Sequence, residues 1–524
     1  MQHETEVLII GAGPTGLTVA TLLQRSGIRC VIVDKATGPS TTSKAIGLQY
    51  RVSEILAWLG LLPGFEARAA KQTTVNLLLD GVTVSKLQLG ELPAAMSGAF
   101  APRPLIIPQS ETEQLLGAAL AAAGGCVRWN TELTGLEQDA DGVTARFADS
   151  QTLRARYLVS CEGAHSVARK LCGICFEGKT YPYDFIMADV AMDTPLAAGQ
   201  AYSYLHPRGV LSAITMPGPR RWRLFIEAGA THVNDVTLAV IRELYVERTG
   251  DRVSTLSDPT WLTRFKIHSR IVERFRAGRV FLAGDAAHLH SPSGGQGITT
   301  GMQDATNLAW KLVHVLRHGA PASLLDSYEA ERRPAAQAVL AGSDRNTKLL
   351  FAQGWFAKWF RDVVFIPALG TSLVQRRLVG RLSQLQVGYY GSALAATRSK
   401  LPQRGLDAGD RAPDVVLASG ATLFLLLGRG KPLALFARTI ASELVQRLAA
   451  LGIESQQLSP RAARVYGSAN ALWLVRPDGY VLHRAAPSGG PSLNAVLRQL
   501  YAAELVSAHW PTALPIATTS HQSG

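Results

Sequence analysis

A chain of 524 residues is long enough to bury several cores, so two or three domains are expected. At 47% hydrophobic and 18% charged residues the composition is that of an ordinary soluble globular protein, which excludes a disordered chain or a low-complexity array. The net charge of +13 is scattered, with no polybasic run interleaved with aromatics, so nucleic acid is not an expected partner, while anionic cofactors are favoured.

The N-terminus lacks the basic, apolar and small-residue order of a secretory signal. No stretch approaches the roughly 20 apolar residues of a membrane span. Five cysteines, Cys30, Cys126, Cys161, Cys172 and Cys175, are too sparse and odd in number for a disulfide framework, which suits a reducing, cytoplasmic compartment. Cys172 and Cys175 have redox or zinc spacing. No second pair or histidine cluster completes a metal site, so none is expected.

In chain order, residues 6–10 read as a buried strand, 15–25 as a helix and 30–34 as a second buried strand. Between the first two stands a Gly-x-Gly-x-x-Gly turn: Gly11, Gly13, Pro14, Thr15 and Gly16. Its glycines permit a tight turn, close approach of backbone to a pyrophosphate and close helix packing, with the anion on the helix N-terminus. Asp34, 23 residues after Gly11, ends the second strand where a ribose would need an acceptor. This is a dinucleotide-binding unit, although it does not choose between NAD and FAD.

Residues 50–59 and 109–123 read as helices, the latter opened by Ser110 with Glu113 three residues on, a capping box. Alternation at 73–89 and 176–225 predicts antiparallel sheet. A strand at 279–283, a Gly-rich loop, a helix at 301–316 and further helix to about 385 follow. Trp355, Phe356, Trp359 and Phe360 share one helical face, read as core-facing in preference to a membrane-surface face. Residues 388–402 suit a linker, and strands and helices alternate again over 415–506. The apolar runs 423–427 and 433–436 read as buried strands.

The second constellation settles the cofactor: Gly284-Asp285-Ala286-Ala287-His288, then Pro292-Ser293-Gly294-Gly295-Gln296-Gly297-Ile298-Thr299. Here the chain resembles the group A flavoprotein aromatic hydroxylases, of the phenol hydroxylase and hydroxyphenylpropionate hydroxylase kind. The resemblance implies that Asp285 holds the ribitol of FAD and that the loop through Pro292, Gly295 and Gly297 passes the isoalloxazine. The backbone N–H groups of Ile298 and Thr299 would then face the flavin N1–C2=O edge. Thr299 stands where the family usually has Asn. Gln109 resembles a residue contacting the flavin side of FAD. Glu162 and Gly163 resemble the family's Asp-Gly motif, associated with FAD and NAD(P)H. Lys44 stands where Arg is usual, keeping the charge but losing the bidentate fork. Lys35 and Leu133 complete the expected cofactor set. His288 and His290 invite a general-base reading, but the resemblance makes His288 structural, and no base is assigned.

The implied architecture is α/β. It has a Rossmann-like FAD-binding domain (1–175 with 270–390), an inserted antiparallel-sheet substrate domain (73–100 and 176–269) and a thioredoxin-like C-terminal domain (403–524). The last, without a cysteine, cannot exchange disulfides and is expected to pack against the FAD domain or to build an oligomer interface such as a homodimer. The implied reaction is hydroxylation of a phenolic or polyketide-like ring with NADH or NADPH and O2, through a flavin C4a-hydroperoxide, with Pro292 near the reactive edge. Baeyer–Villiger oxidation, epoxidation and a catalytically silent FAD scaffold are the alternatives. Tyr202, Tyr204, Trp222 and Phe225 are candidates to line the substrate pocket.

Overall fold

The strand Thr5–Ile10 is buried at every position, as a strand covered on both faces must be. It pairs in parallel with Cys30–Val33 on one side and Thr152–Ser160 on the other. Thr152–Ser160 pairs in parallel with Val280–Leu282, and Cys30–Val33 with Val127–Arg128. These five parallel strands form the centre of the first sheet, and the hairpin Leu133–Gln138 with Val143–Phe147 extends it. This computed structural model of the protein describes residues 5–43, 45–71, 74–89, 92, 98–228, 235–291, 294–350, 354–399, 405–468, 470–486 and 490–509.

The second sheet is mostly antiparallel, in the order His288–Leu289, Thr255–Val272, Phe176–Asp193, Arg221–Glu227, Gly209–Thr215, Gln200–His206, Thr74–Leu79, Val82–Gln88. One face is covered by the helix Leu238–Thr249, which packs through Ile241, Leu244 and Tyr245 onto Ile186, Leu211 and Leu224. The opposite face carries Phe185, Leu205 and Val210, against which Ile366 and Leu369 pack. The two sheets lie in one compact unit, residues 1–309 with 328–388.

The second unit takes residues 310–327 and 389–524. Its sheet runs Glu454–Gln457, Leu433–Phe436, Leu472–Val475, Val481–Ala485, with the first pair parallel and the other two antiparallel. Leu444, Leu448, Leu493 and Leu497 from its helices close the core on Leu472 and Leu474. Part of the expected linker belongs here: Tyr389 and Ser392 are buried, and Ala393–Ala395 forms a helical turn.

Several local expectations give way to physical detail. Leu423–Leu427 is a short helix, not a strand; Thr422 caps it by accepting from the Leu425 N–H. An all-apolar run has no period, so strand and helix read alike. The capping box at Ser110 does not form, because the helix Gln109–Ala122 begins directly after Pro108 without a side-chain cap. The Gly-rich loop is shorter than expected, since its helix runs Gly297–Arg317. The aromatic face at 355–360 is not core-facing: Trp355, Trp359 and Phe360 are exposed.

His314 lies in the second unit, its ring edge-on to Trp310 and Tyr501, and its Nδ1–H donates to the Leu500 carbonyl over 3.1 Å. Burial, with His318 beside it, pushes its pKa down to about 3. A group whose folded pKa is depressed contributes stability that is present above its unfolded value near 6.5 and lost as pH falls below it. Denaturant unfolding of the second unit should therefore shift to lower midpoints between about pH 6.5 and pH 5. His314→Gln should flatten that slope, and an unchanged slope would contradict the assignment.

Candidate active site

The loops that follow four parallel strands meet at the carboxyl edge of the first sheet, the place where open α/β sheets bind ligands. Gly11 follows Ile10, Asp34 follows Val33, Glu162 lies just beyond Ser160, and Gly284 just beyond Leu282. Gly11 has φ +102°, and a β-carbon there would lie 2.6 Å from the Cys161 carbonyl carbon. A β-carbon on Gly16 would strike the Gly11 carbonyl. Both positions therefore admit only glycine, because turn, helix and third strand touch. Gly13 differs: a β-carbon would meet nothing within 4 Å, so its glycine leaves room at the N-terminus of the helix Pro14–Arg25. No acidic residue occupies that first turn, and no side chain caps it.

Asp34 faces this turn. Its carboxylate accepts from the Ala12 N–H at 2.6 Å and the Ala36 N–H at 2.8 Å, which pins the acid against the Gly-rich loop. Gln109 starts its helix beside the same segment: its N–H donates to Ser43 Oγ, and its Nε2 to Glu113, which also accepts from the Ser40 N–H. Burial raises the pKa of Glu113, with the neighbouring Asp34 adding to it. Lys35 is exposed and 4.0 Å from Glu132. Leu133 is a core residue beside Val33 and Ile10, so its side chain does not line the loops.

The second motif is held from below. The Asp304 carboxylate accepts from the Gly284 N–H at 3.0 Å and pairs with His288 Nε2 and Arg332 Nε, each at 2.7 Å. Asp304, His288 and Arg332 are all buried. Burial pushes the Asp304 pKa up, yet Arg332 and His288 together hold it below the ordinary carboxylate value. His288 is thus a structural residue of this loop. His290 stacks on it with ring centroids 5.5 Å apart, and burial pushes its pKa down to about 3, which makes it a weak base.

Gly284, with φ +60°, packs on Thr15: a β-carbon would lie 2.6 Å from Thr15 Oγ1, so the two motifs interlock. Asp285, next along, is exposed. Gln49 ties in the Gly-rich loop. Its Nε2 donates to the Gly294 carbonyl at 2.6 Å, and its N–H to Thr299 Oγ1 at 2.9 Å. The Thr299 hydroxyl is therefore engaged with backbone. Gly295 has φ +60°, and Gly297 opens the helix with Ile298 half-buried behind it. Lys44 and Pro292 lie outside the described residues.

Glu162 is fully used within the protein. It accepts from Ser160 Oγ, Ser166 Oγ, and the Val167 and Ala168 N–H groups, all within 3.1 Å. Its longer reach serves to cap the helix Val167–Leu171, and Gly163, with φ +78°, makes the turn between them.

The four candidate substrate residues do not share a surface. Tyr202, Tyr204 and Trp222 pack in the core beneath the helix Leu238–Thr249, whereas Phe225 is on the opposite face. Register explains this, because successive strand residues alternate faces. Ser203 pairs with Ser212, Ser212 with Phe225, Phe225 with Met187 and Met187 with Thr263, making one row across the sheet on the Phe225 side. Ser203, Ser212, Phe225 and Thr263 are half-exposed, whereas Met187 between them is buried. Val75 belongs to this side and packs with Tyr50, the neighbour of Gln49, so this side of the sheet adjoins the segment that ties in the Gly-rich loop. An ion pair, Arg223 with Asp189 at 2.6 Å, borders the row.

FAD fits these residues. The open space at Gly13, an uncapped helix N-terminus, an acceptor at Asp34 and an exposed acid at Asp285 supply what a pyrophosphate, a ribose and a ribitol require. All five cysteines are free thiols, and no cluster of metal-ligating side chains occurs among the described residues.

Comparison with known proteins agrees. Residues 4–343 match the FAD binding domain family. A flavin-dependent monooxygenase of Mycobacteroides abscessus is 34% identical over 490 residues, 91% of this chain and 96% of its own. The 12-dehydrotetracycline 5-monooxygenase/anhydrotetracycline 6-monooxygenase of Streptomyces rimosus subsp. rimosus is 34% identical over 93% of this chain and 96% of its own. Among solved structures, aklavinone-11 hydroxylase in a ternary complex with FAD and aklavinone superposes with a TM-score of 0.80 at 27% identity, over 95% of this chain and 99% of the other. With the family matched over most of its length, this chain belongs to the FAD-dependent group A aromatic hydroxylases.

Proposed function

We propose that this flavoprotein monooxygenase hydroxylates a phenolic or polyketide-like aromatic ring, using NADH or NADPH as transient reductant and O2 as oxygen source. The observation that carries the reading is the opposition of two surfaces. Loops at the carboxyl ends of four parallel strands gather beside a half-open sheet face bearing Phe225, Ser203 and Ser212. The tetracycline and aklavinone enzymes among the relatives support a flat, polycyclic substrate.

In this reading the N–H groups of Gly13 and Thr15 receive the FAD pyrophosphate, Asp34 the adenosine ribose and Asp285 the ribitol. The backbone at Gly297 to Thr299 presents helix N–H donors to the pyrimidine edge, where a helix N-terminus stabilises negative charge. When bound, FAD supplies the electron transfer and oxygen activation. The protein's own part is to orient and to keep dry. Phe225 and Met187 hold the ring, Ser203 and Ser212 offer hydrogen bonds to its oxygens, and the buried strands behind them exclude water. We assign Pro292 to the reactive edge, as the family resemblance of its loop implies. We also propose a thioredoxin-like C-terminal domain over residues 403–524, with a structural role in packing or dimerisation. Its mixed sheet favours that assignment. A cytoplasmic location agrees with the free thiols. No described helix is long and apolar enough to cross a membrane.

The test of function is NAD(P)H oxidation by the FAD-loaded enzyme with and without candidate phenols and polyketides, with the product's oxygen traced from labelled O2. A hydroxylated product carrying one labelled atom is expected. A ring-expanded ester or an epoxide would replace hydroxylation with its rivals, and no turnover of any ring would favour a silent scaffold. Asp285→Ala should lose most bound FAD, read as the flavin-to-protein absorbance ratio; full retention would remove Asp285 from the site. Phe225→Ala should raise KM about fivefold with flavin content unchanged, since an aromatic contact contributes about 1 kcal/mol and 1.4 kcal/mol is a factor of ten. Tyr202→Phe should leave KM alone, and the reverse pattern would put the substrate on the other face of the sheet.

A further inference from the structure

The helical segment Trp355–Phe360, continued by Arg361–Phe365 and Ile366–Ala368, carries apolar side chains on the side away from the protein. Trp355 is 82% exposed and Val363 55%, with Trp359 between them one turn from each, so the three form a stripe at helical spacing. Phe360 and Val364 widen the stripe, and Leu373, 61% exposed, extends it onto the next helix, Ser372–Leu382. The inward sides of both helices are already used: Ile366, Leu369, Val374 and Leu378 pack onto the second sheet. Exposed Trp, Phe, Val and Leu gathered on one stretch differ from apolar residues scattered singly over a surface, which need no explanation.

Charge selects the occupant. Between residues 345 and 381 the chain has seven basic side chains and a single acid, Asp362. That acid is paired with Arg361. Arg376, Arg377 and Arg381 are exposed on the helix that carries Leu373, and Lys358 lies between the two tryptophans in sequence. An apolar stripe with indole rings, flanked by uncompensated cations, is the pattern of a helix that lies in the interface of an anionic bilayer. A second copy of the chain is disfavoured, since a two-fold contact would press the same cations against one another.

We infer that Trp355, Trp359 and Val363, with Arg376 and Arg377, form an interfacial docking surface for membranes containing anionic lipid. The enzyme rests on the bilayer without spanning it. Binding combines burial of the stripe below the headgroups with attraction of the arginines to lipid phosphate, so it weakens as salt rises.

Flotation of the FAD-loaded full chain tests this with two vesicle types, phosphatidylcholine alone and phosphatidylcholine with phosphatidylglycerol. The chain should float with the anionic vesicles and stay behind with the neutral ones. Trp355→Ser with Trp359→Ser, and separately Arg376→Glu with Arg377→Glu, should each lower the bound fraction roughly tenfold or more. Both variants should keep the flavin spectrum and circular dichroism of the parent, because the altered side chains are exposed. Absence of binding to anionic vesicles, or equal binding by both variants, overturns the proposal. Loss of a dimer on sedimentation of the tryptophan variant, without lipid binding in the parent, would assign the stripe to a second copy instead.

Discussion

The site depends on one buried anion. Asp304 projects from the helix Gly297–Arg317 and holds the Gly284 N–H, His288 and Arg332 together where no solvent reaches them. Removing one member of such a buried pair typically costs about 3–5 kcal/mol, because the remaining charge is left unpaired in a low dielectric. The same carboxylate sets the conformation of the loop that presents Asp285. It also places the start of its own helix, whose first N–H groups would face the flavin. Arg332 adds a bond to the Thr300 carbonyl, so the next long helix is tied to the same point. Thr15 fits against Gly284 and Gly301, which carries this rigidity across to the Gly-rich turn.

The second constraint is strand register. A sheet presents alternate residues to opposite faces, so a one-residue change of register exchanges the core for the pocket. Here the even-numbered Tyr202, Tyr204, Trp222 and Leu224 go to the core under a helix, while Ser203 and Phe225 go to the opposite face. Ser203 and Ser212 bond each other at 2.8 Å, with no charged group directly beside them in the row. The buried Arg223–Asp189 pair at the border fixes the strands, and the face of Trp261 lies over its guanidinium.

Glu162 shows how a departure from a family pattern can be absorbed. A longer acid in place of the usual aspartate reaches past the turn to two hydroxyls and two backbone N–H groups. Thr299 behaves similarly: its hydroxyl accepts from Gln49, so the interaction it makes is with the protein's own chain. In both cases the side chain positions a loop through bonds to the protein's own chain.

The sequence by itself determined the βαβ unit, the Gly-rich turn, Asp34 and the Gly284–Asp285 motif. These signals are local: glycines demanded by a tight turn, a buried strand's β-branched run, an acid at a fixed offset. It also determined the family and the absence of a thiol in the second unit. Tertiary structure decided the rest. Thr300, Gln303, Asp304, Asn307 and Lys311 form a polar stripe along one helix, yet all are buried, two of them answered by Glu331 and Arg332 on the next long helix. Trp355, Trp359 and Phe360 look like part of a core stripe and are exposed. Periodicity tells which residues share a face, but only the packing of remote elements tells whether that face meets protein or solvent.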